Sequence, residues 1–170
     1  LRVLPLIPGG KTPLTAHGQK DATADIDQVV AWWTATPDAN VGVACEPSGL
    51  YVVDIDVSMK RDGAAKVGAE SWADLTEHQD VGDTYGVRTW AGGRHLYFLM
   101  PDPPLKNTAG TLGTDIDTRG NGYVVAPGSV VNGGSYTVTK DVAFAPLPQF
   151  LVDLLTVGKT KPSRLTVKSL

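Results

Sequence analysis

Glycine and proline punctuate this chain from end to end, 19 and 12 of them, and that spacing constrains the fold more than any other feature. One interrupts regular structure by excess freedom, the other by a fixed φ and a missing N–H. The pattern favours many short strands joined by turns, with helices only where the punctuation pauses. Val3 to Ile7 reads as a first strand, closed by Pro8, Gly9 and Gly10. Ile26, Val29, Val30 and Trp33 stand at helical offsets, with Asp25 and Gln28 spaced as a capping box and Pro37 as the stop. Strand-like runs follow at Val41–Ala44 and Leu50–Val57, then a helix over about Ala69 to His78 that carries Trp72 and Leu75. Leu96 to Met100 is a further strand, and Pro101 to Gly113 a loop. Asp115–Thr118, Tyr123–Ala126 and Tyr136–Val138 are short strands, and Pro148–Leu155 is a last helix. This order implies an α+β fold with hairpin-paired strands and helices on one side.

Composition narrows the function. A chain of 170 residues is one ordinary domain, and 42% hydrophobic content supports a core. Fifteen basic against 18 acidic residues give a net charge of −3, which excludes holding nucleic acid by bulk positive charge but not gripping it locally. The single cysteine, Cys45, excludes an internal disulfide and a cysteine-rich zinc site, so a reducing, cytoplasmic setting is expected. No run approaches the roughly 20 apolar residues of a membrane span, and no membrane partner is expected. From Gly158 onward four basic residues and no apolar stripe read as a linker, and the start inside an apolar run suggests that a longer chain precedes Leu1.

Leu50 to Val57 carries the first chemical signal. Alternation puts Tyr51, Val53, Ile55 and Val57 on one face and Leu50, Val52, Asp54 and Asp56 on the other. Neighbouring carboxylates repel unless a cation lies between them, and hard oxygen donors suit magnesium or manganese. Either Asp54 and Asp56 hold such an ion, or the strand is ending and they are solvated. Asp115, Asp117 and Arg119 share a face in the same way around Ile116, as an ordinary acidic strand or as the source of a third carboxylate. Three carboxylates are the number on which a two-metal phosphoryl-transfer site draws. In Gly92-Gly93-Arg94-His95 the glycines would let the backbone approach a ligand, with Arg94 and His95 as candidate triphosphate contacts. His17 and His78 lack such company and read as surface residues.

Gly10-Lys11-Thr12 and Gly158-Lys159-Thr160 imitate a phosphate-binding P-loop, but the glycine that motif needs five residues earlier is Pro5 in one and Asp153 in the other. Lys11 keeps the simpler prospect of meeting phosphate as a point charge.

In order and spacing these elements resemble the motifs of the archaeo-eukaryotic primase superfamily, most closely the bifunctional primase–polymerase (prim-pol) domains of plasmids and bacteriophages. Asp54-Ile55-Asp56 matches that family's Asp-hydrophobic-Asp, Gly93-Arg94-His95 its small-any-His, and Ile116-Asp117 its hydrophobic-Asp. Trp32-Trp33 and the segments 8–13, 20–23, 37–43 and 122–127 look like family landmarks. Pro127-Gly128-Ser129 and Asn121-Gly122-Tyr123 depart from the usual Pro-Pro-Ser and Gly-Gly-Tyr, and the family's helix before the first strand is missing. The resemblance implies an RRM-like catalytic domain over residues 1–155, with mixed or antiparallel sheet and flanking helices. Residues 156–170 would then lead toward a helicase domain. It further implies a template-dependent nucleotidyltransferase that makes primers and polymerises DNA. Asp54, Asp56 and Asp117 would hold two magnesium or manganese ions, with no zinc expected. His95 would bond the incoming dNTP or NTP, with Arg94 and Arg119 as phosphate contacts. Single-stranded template and primer would be its partners.

Two rivals bear weighing. A polymerase-β-type nucleotidyltransferase needs hydrophobic-Gly-Gly/Ser about a dozen residues before its aspartates, and Val43 spoils Val41-Gly42 for that role. A non-catalytic single-strand-binding module could stack bases on some of the four tryptophans and five tyrosines, although Trp33 and Trp72 look like core.

Overall fold

The computed structural model describes residues 1–59 and 63–157, so the linker read from Gly158 onward lies outside the described residues. Among the described residues, twelve short strands are interspersed with three α-helices, as the glycine and proline spacing anticipates. The strands are β1 (Val3–Leu6), β2 (Asn40–Ala44), β3 (Leu50–Ile55), β4 (Tyr85–Arg88), β5 (Arg94–Leu99), β6 (Thr108–Ala109) and β7 (Ile116–Arg119). They continue as β8 (Tyr123–Val125), β9 (Val130–Val131), β10 (Gly134–Ser135), β11 (Thr137–Lys140) and β12 (Ala145–Pro146). The helices are α1 (Ile26–Ala35), α2 (Gly68–Thr76) and α3 (Gln149–Thr156).

The main sheet runs β11-β4-β5-β3-β7-β6, all antiparallel, with β12 added parallel to the end of β5. A smaller antiparallel sheet, β1-β2-β8, covers one face of it. β3 is central, and its two faces feed two separate cores. Leu50 and Val52 pack with Leu4, Leu6, Val43 and Val124 of the small sheet. Tyr51, Val53 and Ile55 pack with Trp72 of α2 and Leu151 and Leu155 of α3. The fold is therefore α+β as expected. The strand's second face, however, is roofed by another sheet until Asp54.

Several boundaries differ from the sequence reading, each for a local reason. β3 stops at Ile55 rather than Val57: the Asp56 N–H still donates in register to the Asp115 carbonyl at 3.0 Å, but Asp115 turns to φ 60° and the Asp56 carbonyl accepts the Gly68 N–H at 3.1 Å. Asp115, expected in a strand, has φ 60° and lies outside β7, so it does not share a face with Asp117 and Arg119. β4 was hidden by Gly86, which fits closely under Thr139 of β11, its Cβ position 3.2 Å from the hydroxyl. β6 falls within the expected loop, held where the Thr108 N–H donates to Thr118 Oγ1 at 3.0 Å. The cap of α1 is Asp25 alone, whose carboxylate accepts the Asp27 N–H at 3.0 Å without help from Gln28. α1 rests beside β1 but buries none of its residues, and Ile26 and Val30 on its apolar stripe are exposed.

Candidate active site

The antiparallel register of the main sheet places three polar residues in one row. His95 of β5 is directly opposite Asp54 of β3, and Asp54 is directly opposite Asp117 of β7. Paired residues in antiparallel strands project to the same face, so residues 41 and 63 positions from Asp54 in sequence meet it there. The face is the one on which the small sheet stops, leaving a cleft of about 300 Å³. Asp54, His95, Arg119, Lys11, Tyr123 and Tyr136 line it.

His95 forms the floor, with a side chain only 5% exposed and Nε2 at 3.5 Å from Asp54 Oδ1. Its Nδ1 is buried without a hydrogen-bond partner among the described residues. The ring is tilted between Tyr97 and Tyr136, at centroid distances of 6.1 and 5.7 Å. Burial pushes the Tyr136 phenol well above its ordinary value, so it stays neutral beside the acids. Arg119 spans the other end of the row: its guanidinium lies 3.3 Å from Asp117 and 3.8 Å from Asp54. One cation thus offsets the repulsion of the opposed carboxylates. At the rim the Lys11 ammonium lies over the Trp90 ring at 5.8 Å, and the Lys11 carbonyl accepts the Tyr123 hydroxyl at 2.9 Å.

Asp56 belongs to a different arrangement. Its Oδ1 accepts the Ser58 N–H at 3.0 Å and the Ser58 hydroxyl at 2.8 Å, and its Oδ2 accepts the Lys66 ammonium. Burial raises the Asp56 carboxyl, but the bonds from Lys66 and Ser58 outweigh it and hold the group below the usual aspartate value. Asp54 and Asp56, expected side by side on one strand face, therefore turn to different partners. Asp115, the acidic neighbour of motif three, accepts the Val67 N–H at 3.0 Å.

Arg94 is set apart by the same strand geometry. It precedes His95 by one residue, projects to the opposite face and lines a separate hollow with Leu96 and Lys140. The structure brings His95, Asp54, Asp117, Arg119 and Lys11 to one region and leaves Arg94 outside it. The paired glycines also act differently from the expectation. Gly92 makes the β4–β5 turn at φ 91°, and Gly93 lies against the chain itself, since a Cβ there would be 2.5 Å from the Ile55 carbonyl oxygen. His17 and His78 are exposed, as expected of surface residues. Burial pushes the Cys45 thiol up to about 12, which leaves it unreactive in the core. Lys66, Asn107 and Tyr136 escaped the sequence reading. Tyr136 carried no signal beyond its strand, and Asn107 sat in a nominal loop, where its Oδ1 accepts the Gly120 N–H at 2.8 Å.

The donor chemistry fits hard divalent ions: Asp54, Asp56 and Asp117 are oxygen donors whose negative charge is only partly offset by Arg119 and Lys66. Among the described residues no three His, Cys, Asp or Glu side chains converge as a ready-made metal cluster. Two are opposed in the row, and Asp56 is held aside by Lys66 and Ser58. Among the described residues, too, no helix is long and apolar enough to cross a membrane.

The family model described as bifunctional DNA primase/polymerase, N-terminal, matches residues 1–150. No curated protein matches the chain.

Proposed function

The chain belongs to the bifunctional DNA primase/polymerase N-terminal family, and from that membership we propose that its cleft joins nucleotides on a single-stranded DNA template, starting and extending primers. The family implies a primase/polymerase nucleotidyltransferase role in DNA replication. The observation that carries the finer reading is the row His95–Asp54–Asp117, set by strand register, with His95 and Asp54 lining one cleft.

Each residue has a task in this reading. Asp54, Asp56 and Asp117 would hold two magnesium or manganese ions, which when bound activate the primer 3′-hydroxyl and offset charge on the leaving pyrophosphate. Arg119 offsets the charge of Asp54 and Asp117 and aligns them from one side. His95, packed between Tyr97 and Tyr136, offers Nε2 to the triphosphate from a buried floor. Lys11 and Arg119 present positive charge to phosphate at the rim. Arg94, on the other face, has no part. Catalysis then rests on positioning and charge stabilisation, without a covalent intermediate.

The partners are single-stranded template, primer and a deoxy- or ribonucleoside triphosphate, in the cytoplasm, with a helicase region further along a longer chain. Template is held weakly, because a net charge of −3 leaves few basic groups to face phosphate. An unprimed single-stranded template assay with labelled nucleotides, run in magnesium and in manganese, tests the proposal. Products from unprimed template support priming. Extension only of an added primer restricts the activity to polymerisation. No product with retained DNA binding indicates a non-catalytic module.

A further inference from the structure

The second aspartate of motif one carries a lysine on it. Lys66 is not a stray surface side chain, because the segment that bears it is built against the motif. Its backbone N–H donates to the Ser58 carbonyl at 3.1 Å, and Met59 and Ala65 bridge the arch between them. Val67 is tied to the Asp115 carboxylate, and the Gly68 N–H donates to the Asp56 carbonyl at 3.1 Å. Only glycine fits at 68, where a Cβ would lie 2.5 Å from the Asp56 oxygen and 2.6 Å from the Asp115 oxygen, both backbone. The ammonium so delivered bonds Asp56 and acts electrostatically on Asp54 and Asp115. It supplies positive charge beside the position a divalent ion would take, while Asp56 is withheld from any three-ligand cluster.

We propose that Lys66 is an exchangeable counter-ion of Asp56: it pairs with and orients the carboxylate while no divalent cation is present, and it gives the carboxylate up when one binds. The inference rests on reading Asp54, Asp56 and Asp117 as ion ligands. Lysine suits the role. Its charge is a compact point on a flexible four-carbon stem, so it can leave Asp56 without moving the arch. Its side chain is already 27% exposed and has water to move into. A divalent ion carries twice its charge and prefers carboxylate oxygen, so exchange favours the ion at sufficient concentration.

The test is manganese binding by the whole protein, with free ion followed by electron paramagnetic resonance. Lys66→Met keeps the stem and removes the competitor, so manganese should bind roughly tenfold more tightly, the order expected from removing a unit charge a few Å away. Lys66→Arg keeps the charge and should stay within about threefold of the parent protein. Unchanged or weaker binding by Lys66→Met overturns the proposal. If the parent protein binds no manganese, or Asp54→Asn binds as well as the parent, the ligand reading itself falls and this inference with it. A second measurement on the parent protein guards against a misfolded variant: manganese should raise acylation of Lys66 by an amine-reactive reagent several-fold, read by mass spectrometry. No rise, or protection, overturns the proposal.

Discussion

Asp54 and Asp117 occupy directly opposed positions on β3 and β7, and the Arg119 guanidinium reaches both, at 3.8 and 3.3 Å. Opposed like charges on neighbouring strands are unfavourable by themselves. Here the sheet places them together and adds a single planar cation two residues along the same strand. Lysine at 119 is too narrow to span the pair. Arg119→Lys should therefore cut nucleotide incorporation by about tenfold or more. It should leave urea stability within about 0.5 kcal/mol, since partly exposed ion pairs contribute little. Steady-state incorporation and a urea titration check the two parts.

His95 separates nucleotide handling from template handling. Its Nε2 stands 3.5 Å from Asp54 on the cleft floor. His95→Gln should raise the nucleotide KM by about tenfold or more, the order of one hydrogen bond to a charged group. Template affinity, measured by fluorescence anisotropy, should stay within about twofold of the parent. Lost template affinity with an unchanged KM would contradict the triphosphate role.

Gly93 joins motif two to motif one through the backbone. A methyl group there meets the Ile55 carbonyl oxygen at 2.5 Å, and neither backbone segment has space to yield. Gly93→Ala should destabilise the protein by about 1–3 kcal/mol, as overpacking does. It should also lower activity, because the displaced hairpin carries His95. Chemical denaturation and incorporation measured together would show both effects.

The Asp56–Lys66 pair gives stability a defined pH dependence in metal-free protein. Asp56 is held below its ordinary value of 3.8, with burial opposing and the bonds from Lys66 and Ser58 prevailing. A lowered folded-state pKa stabilises the fold above the unfolded value and loses that contribution as pH falls through the folded one. Lys66 is raised, chiefly by its bond to Asp56, so its contribution is full below the ordinary lysine value and lost as pH rises through the raised one. Urea midpoints in chelator should fall more steeply for the parent than for Asp56→Asn below about pH 5.

Much of this site was legible because strand alternation is a short-range rule. The apolar alternation of Leu50 to Ile55 identifies a buried strand, and Asp54, Asp117 and His95 each sit at the end of one. Their convergence depends on register across three strands, which no single segment encodes. Local patterns failed where a distant backbone group decided the outcome. Asp56 looks like the next residue of β3, but its in-register partner Asp115, 59 residues away in sequence, turns to φ 60° and the Asp56 carbonyl is taken by the Gly68 N–H. Arg94 lies beside His95 in the chain and on the far face of the sheet, as the period of two requires. Lys66 has no recognisable pattern, because an arch closed at Gly68 brings it to Asp56.

The opposed pair Asp54 and Asp117 supports the central claim, and primer extension on single-stranded template tests it most directly. The parent protein and Asp54→Asn/Asp117→Asn are compared in magnesium and in manganese, with circular dichroism and thermal melting confirming that both are folded. The account predicts extension by the parent that requires a divalent ion and falls to background in the double variant. Undiminished extension by a folded double variant would contradict it.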